Sequence, residues 1–237
     1  MNLPCKTVWK LRQVSNVVAR ASTKQSHHKR EIALSAFGYL AMIYNKVNMN
    51  RDEALTLVRE YVKNEGLVRH MLSVEAAMRF YAEKFGEDVE RWGLIGLLHD
   101  FDWEIHPTLE EHPQAGAPIL RERGVPEDII QDILSHGDHL NMPRDTMIRK
   151  AIIACDEITG LITAVALVRP SRSLYDLEPS SVKKKWKDKA FAAGTSRDEM
   201  EHAAKEFGIE LWEHVGNVIQ AMRRIAPELG LVGNISQ

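Results

Sequence analysis

Trp92-Gly93-Leu94-Ile95-Gly96-Leu97-Leu98-His99-Asp100 is the stretch on which the reading of this chain turns. An apolar run ends on a histidine and an aspartate side by side. The run predicts a helix over residues 88–99, and a helix without a polar face belongs at the centre of a fold. Gly93 and Gly96 weaken that helix by about 1 kcal/mol each relative to alanine, and they let neighbouring backbones come close. His70 stands upstream, and His112, His136 and Asp156 stand downstream. Imidazole nitrogens mixed with carboxylate oxygens suit cations such as Fe²⁺, Mn²⁺ or Zn²⁺. The intervals are too wide for a zinc finger. They fit a bundle in which each ligand projects inward from a different helix.

The rest of the chain supports a bundle. Helical apolar stripes run through residues 51–63 and 67–85, shorter ones through 114–123 and 126–136, and the longest through 144–168. Ser196-Arg197-Asp198-Glu199 has the form of a capping box opening a helix to Phe207, and a last helix is expected over 209–225. No run alternates like a strand. The expectation is an all-α domain over residues 49–237 with a metal site in its core.

Residues 1–48 are set apart by charge, with eight Lys or Arg against the single acid Glu31. A transit-like peptide, a basic arm and a start-site artefact all fit this composition. The last draws on Met49-Asn50-Arg51-Asp52-Glu53, which reads as a natural beginning because Asn50 can cap a helix with two acids in its first turn. No function is assigned to this part.

The chain of 237 residues is 44% apolar, enough for a real core, and its net charge of −2 gives no general attraction to nucleic acid or an acidic membrane. Two cysteines, Cys5 and Cys155, make no disulfide framework and suit a reducing compartment, so a cytoplasmic protein is expected. Cys155, within an apolar helix, reads as packing rather than as a nucleophile. Asp156 beside it is costly in such a helix unless it is paired or binds a metal. P-loop, G-x-G-x-x-G and G-x-S-x-G patterns are absent.

The order His70 … His99-Asp100 … Asp156, with Gly-Leu-Leu-His-Asp around the dipeptide and Ala-Cys-Asp-Glu around the last aspartate, resembles the HD superfamily of metal-dependent phosphohydrolases. The resemblance covers roughly residues 66–170. His112-Pro113-x-x-Gly116 and Ile133-Leu134-Ser135-His136 resemble the extra histidines of its binuclear members. The resemblance implies that His70, His99, Asp100 and Asp156 hold a first divalent metal, and that His112 and His136 hold a second with Asp100 bridging. It leaves open whether one ion or two are bound, and which of Fe, Mn, Mg, Zn, Ni or Co. The chain departs from many binuclear members in having no lysine shortly after the dipeptide. Asp102 or Glu104 stands there instead, as a proton-transfer group, a holder of a water molecule or a solvated loop acid.

The resemblance thus implies a phosphohydrolase that cleaves a phosphoester or phosphoanhydride of a small molecule, a nucleotide first of all, by a metal-activated water. Asp100 and Asp102 are the expected catalytic residues. Arg169 and Arg172, in a loop after the longest helix, are the expected substrate cations. Arg69 precedes His70, but adjacent helical residues point about 100° apart, so it need not share the pocket. Lys183, Lys184, Lys185 and Lys187 read as a solvated helix face. No specific nucleic-acid or membrane partner is expected. An HD-like di-iron oxygenase and a non-catalytic nucleotide-binding module are the alternatives.

Overall fold

The structure, a computed structural model, describes residues 49–188 and 190–233. The basic extension, residues 1–48, lies outside them. Among the described residues the secondary structure is entirely helical. Ten α-helices follow one another: α1 Arg51–Tyr61, α2 Glu65–Phe85, α3 Val89–Leu98, α4 Ala117–Glu122, α5 Glu127–Leu134, α6 Met147–Val168, α7 Pro179–Trp186, α8 Arg197–Phe207, α9 Leu211–Arg224 and α10 Ala226–Leu229.

Their boundaries follow from local chemistry. Asn50 caps α1, and the Glu53 side chain returns the bond to the Asn50 backbone, so the box is complete. Asn64 caps α2, and Gly86, at φ +73°, ends it in the left-handed conformation. At α8 the expected capping box is half made. Ser196 accepts from the Glu199 amide, while Glu199 turns toward a cavity lined by α6 and α8 residues.

Helix α3 is the axis of the domain, with every residue from Trp92 to Leu98 buried. It packs on α2, and α2 in turn carries α6 and α9. The approach of α3 to α2 depends on Gly96, where a Cβ would lie 2.9 Å from the Glu75 backbone. Helix α6 is long and apolar enough to cross a membrane by length and composition. Here its apolar side, from Ile148 to Ala166, is built into the core.

Two buried polar groups tie the helices together. Glu75 of α2, 2% exposed, accepts from Arg51 Nε at 2.7 Å and Arg79 Nε at 2.8 Å. The Arg79 guanidinium also grips Glu90 through two bonds, so one carboxylate joins α1, α2 and α3. His214 of α9 donates through Nε2 to the Ala154 carbonyl at 2.7 Å and accepts from Tyr81 Oη at 2.6 Å. Burial pushes this imidazole down to about 4, so it stays neutral.

Replacing Glu75 by alanine leaves the paired face of Arg51 and Arg79 without a partner in the core. The expected cost is about 3–5 kcal/mol of stability, read from the midpoint of urea unfolding. A loss below about 1 kcal/mol would show that the ion cluster does not hold the three helices.

Candidate metal centre

Three helices and two connecting segments deliver the site. His70 comes from the second turn of α2. His99 and Asp100 follow the end of α3, His112 lies in the turn-rich segment after them, and His136 follows α5. Asp156 comes from the middle of α6. All six residues singled out as ligands meet in one cluster. It forms two donor sets, His70–His99–Asp156 and Asp100–His112–His136.

Asp100 joins the sets. Its Oδ2 lies 3.6 Å from His70 Nε2 and 3.5 Å from His99 Nε2. Its Oδ1 lies 3.3 Å from His112 Nε2 and 3.4 Å from His136 Nε2. Asp156 Oδ1 closes the first set, 3.0 Å from His70 Nε2 and 3.6 Å from His99 Nε2.

The outward nitrogens settle the tautomers. His99 Nδ1 donates to the Gly96 carbonyl at 2.8 Å and His136 Nδ1 to the Ile133 carbonyl at 2.6 Å. His112 Nδ1 donates to Asp102 Oδ1 at 2.9 Å. Thr159 commits its own proton to the Asp156 carbonyl, so His70 Nδ1 donates to the Thr159 oxygen at 3.4 Å. In the neutral state each imidazole therefore turns an Nε2 lone pair inward. Carbonyls and carboxylates behind metal-binding histidines fix them in this way.

These lone pairs face one another at 3.2 Å (His70–His99) and 2.9 Å (His112–His136). Each contact needs a proton on one ring or a cation between the two nitrogens. Ligand atoms about 2.0–2.2 Å from a shared cation stand roughly 2.8–3.6 Å apart in octahedral or tetrahedral arrangements. The donor set fits divalent metal on this ground. Charge says the same. Asp100, Asp102 and Asp156 bring three carboxylates together, and among the described residues no Lys or Arg forms an ion pair with them.

The electrostatics of the cluster follow from that excess. Burial works against a charged His99, but Asp100 and Asp156 beside it hold it up at about 9. Burial likewise opposes a charged His112, and Asp100 and Asp102 raise it to about 9. Burial would lift Asp100; the His99 charge and the bonds from His112 and His136 keep it well below the usual carboxylate range. Asp156 is likewise lowered against burial, by His99 and His70.

The other sequence candidates have distinct places. Asp102 is 1% exposed, and among the described residues its second oxygen is buried without a partner next to Gly116, where a Cβ would come within 2.7 Å. It reaches the centre only through His112. That is the work of a positioning group, and the expected direct catalytic role has no geometric basis. Glu104 accepts from the Lys63 and Asn64 amides and ties the α3–α4 segment to the start of α2. Arg169 is occupied by Ser181 and Asp176. Neither Arg169 nor Arg172 lines the two cavities beside the metal cluster. Cys155 is buried, and burial together with Asp156 pushes its thiol above the ordinary thiol range, as suits packing. The lysines of α7 cover aromatic rings, Lys183 over Trp212 and Lys185 over Phe191.

The cavities differ in character. A small one, about 80 Å³, reaches His136 and Asp156 and is lined by Asp138, Glu157 and Glu199. Burial, with Glu199 and Asp156 nearby, lifts Glu157 to about 7 although it accepts the Ser196 amide. The larger, about 330 Å³, reaches His70 and includes Arg69. The angular divergence of neighbouring helical residues does not keep Arg69 away, because an arginine side chain is long enough to reach back.

The fold and the site together define a class. Residues 67–168 match the family model of the HD domain. The chain carries an HD domain. Similar curated proteins are Ribonuclease Y of Nitratidesulfovibrio vulgaris strain DP4, 31% identical over 41% of this chain and 18% of that protein, and Ribonuclease Y of Thermotoga petrophila, 27% identical over 56% of this chain and 27% of that protein. The match thus spans well under a third of the length of these relatives. No solved structure matches the chain.

Metal entry must displace protons from His99 and His112, which stay charged up to about pH 9 without metal. Affinity for Mn²⁺ or Zn²⁺ is therefore expected to climb as pH rises from 6 toward 9 and then to level off. Calorimetric titrations at pH 7 in buffers of different ionisation enthalpy should show proton release. Affinity that is flat over this range, with no proton release, would contradict the assignment.

Proposed function

We propose that this protein is an HD-type phosphohydrolase that cleaves a phosphoester or phosphoanhydride of a small phosphorylated molecule, a nucleotide being the first class to test. The observation that carries this reading is the division of Asp100, one oxygen toward His70 and His99 and the other toward His112 and His136.

His70, His99, Asp100 and Asp156 would hold one divalent ion, and Asp100, His112 and His136 a second. Bound there, such ions supply activation of water as nucleophile and stabilisation of both oxygens in an in-line phosphoryl displacement. The chain's own part is orientation and charge. Thr159, Gly96, Asp102 and Ile133 lock the four rings so that their lone pairs converge. The clustered carboxylates set the field in which a dianionic substrate and cations can balance. In the reaction the bond from phosphorus to the leaving oxygen breaks as a bond from water oxygen to phosphorus forms. Complete ligand sets argue against a module that has lost catalysis.

A small substrate is favoured over a polymer by three observations. The cavity at His70 is about 330 Å³, of the size that encloses one small molecule. The second cavity is lined by acids that repel a polyanion. The chain as a whole has net charge −2. The name of the relatives, ribonuclease, puts an RNA phosphodiester beside the nucleotides as a substrate to be tried.

The test is product release by anaerobically purified, metal-reconstituted protein. The panel holds nucleoside mono-, di- and triphosphates and a short RNA. Metal-dependent hydrolysis of a nucleotide is expected. Asp100→Ala should lower it by about 100-fold or more, with Asp100→Asn as a variant of equal volume and circular dichroism as the check on folding. Cleavage of RNA alone would move the substrate class. Hydrolysis of nothing on the panel, with oxygen consumed by the iron-loaded protein, would replace phosphohydrolysis by oxygenation.

A further inference from the structure

We infer that the groove between α2 and α6, beginning at His70 and passing Arg69, Gly160, Thr163 and Leu167 to Leu231, is the subsite for an aromatic group carried by the phosphorylated substrate. The inference rests on the proposed reading of the metal cluster as the place where phosphate is held.

The groove grows out of the metal centre along two helices. On α6, Asp156 belongs to the first donor set, and Gly160, Thr163 and Leu167 follow on the same side at successive turns. On α2, His70 belongs to the same donor set while Arg69 lines the same cavity. The end of α10 and the turn after it complete the wall with Leu229, Gly230 and Leu231.

Its chemistry is apolar with one cation. Leu167 is 43% exposed, although a large apolar side chain gains by being covered. Gly160 is helical, yet a Cβ there meets no atom of the described residues within 4 Å, so the glycine keeps open a volume that a side chain would occupy. Among the described residues the Arg69 guanidinium has no hydrogen bond or ion pair, and it lies 3.6 Å from where a Cβ at Gly230 would stand. A planar cation beside leucine walls receives an aromatic ring well, by stacking on its face. A phosphate at the metal cluster and a ring in the groove would then be held at once, which selects an organic phosphate over inorganic phosphate.

Two phosphonates that resist hydrolysis separate these contributions. Phenylphosphonate and methylphosphonate share the same anionic head and differ in the ring. They are titrated into the Mn²⁺-reconstituted full chain by calorimetry. The wild-type protein should bind phenylphosphonate about 10-fold tighter or more, the gain expected from burying a ring. Gly160→Leu, which fills the groove and improves helix propensity, should abolish that preference, and Arg69→Ala should reduce it several-fold. Equal affinities in the wild type, no binding of phenylphosphonate, or an undiminished preference in Gly160→Leu would overturn the inference. Turnover is not read. A flat ratio in a protein that hydrolyses nucleotides therefore removes the subsite alone, and a large ratio in one that hydrolyses nothing removes the catalytic reading alone.

Discussion

One carboxylate, shared between two pairs of inward-turned imidazoles, is the constraint on which the functional part of this molecule depends. Asp100 sits where neither of its oxygens meets a lysine or arginine among the described residues, and its partners offer lone pairs. A buried anion is expensive unless it is compensated. With Asp102 and Asp156 also present, the site concentrates negative charge in a core of otherwise apolar side chains. Such an arrangement is stable with protons on the imidazoles or with cations between them. The competition between those two states links the fold to the chemistry.

The surrounding architecture serves that arrangement. Gly96 brings α3 against α2, so that His99 at the end of one helix reaches His70 on the other. Glu75 with its two arginines binds the same helices from the side. His214 bridges α2 and α6 through Tyr81 and Ala154, and so supports the two helices that carry His70 and Asp156. The Gly96 and Ile133 carbonyls, the Thr159 hydroxyl and the Asp102 carboxylate fix ring orientation before any ion arrives, and such preorganisation keeps the cost of binding low.

Much of this is legible in the sequence, for a physical reason. Acids and histidines are rare inside apolar helices, so Asp156 within Ala154-Cys155-Asp156 and His99 after an apolar run announce themselves. The helical periods locate every long helix to within a few residues, and Gly96 reads correctly as a close approach. What escapes depends on contacts distant in sequence. Arg169 looks free in the sequence because nothing local shows that Asp176 and Ser181 return to it. Asp102 looks like a reacting group because its burial behind His112 depends on Gly116 making room. Arg69 is set apart by backbone angle alone, while the cavity it lines is formed partly by the turn after α10. Glu199 resembles half of a capping box, yet it faces the cavity shared with Glu157.

These six side chains are proposed to form a shared two-ion site, and X-ray anomalous scattering from crystals of the anaerobically purified, metal-loaded protein locates the ions. Two anomalous peaks about 3.5–4 Å apart are expected, one among His70, His99 and Asp156, the other between His112 and His136, with Asp100 reaching both. Anomalous maps with a single peak or none inside this cluster, from protein shown by elemental analysis to contain metal, would contradict the two-ion site.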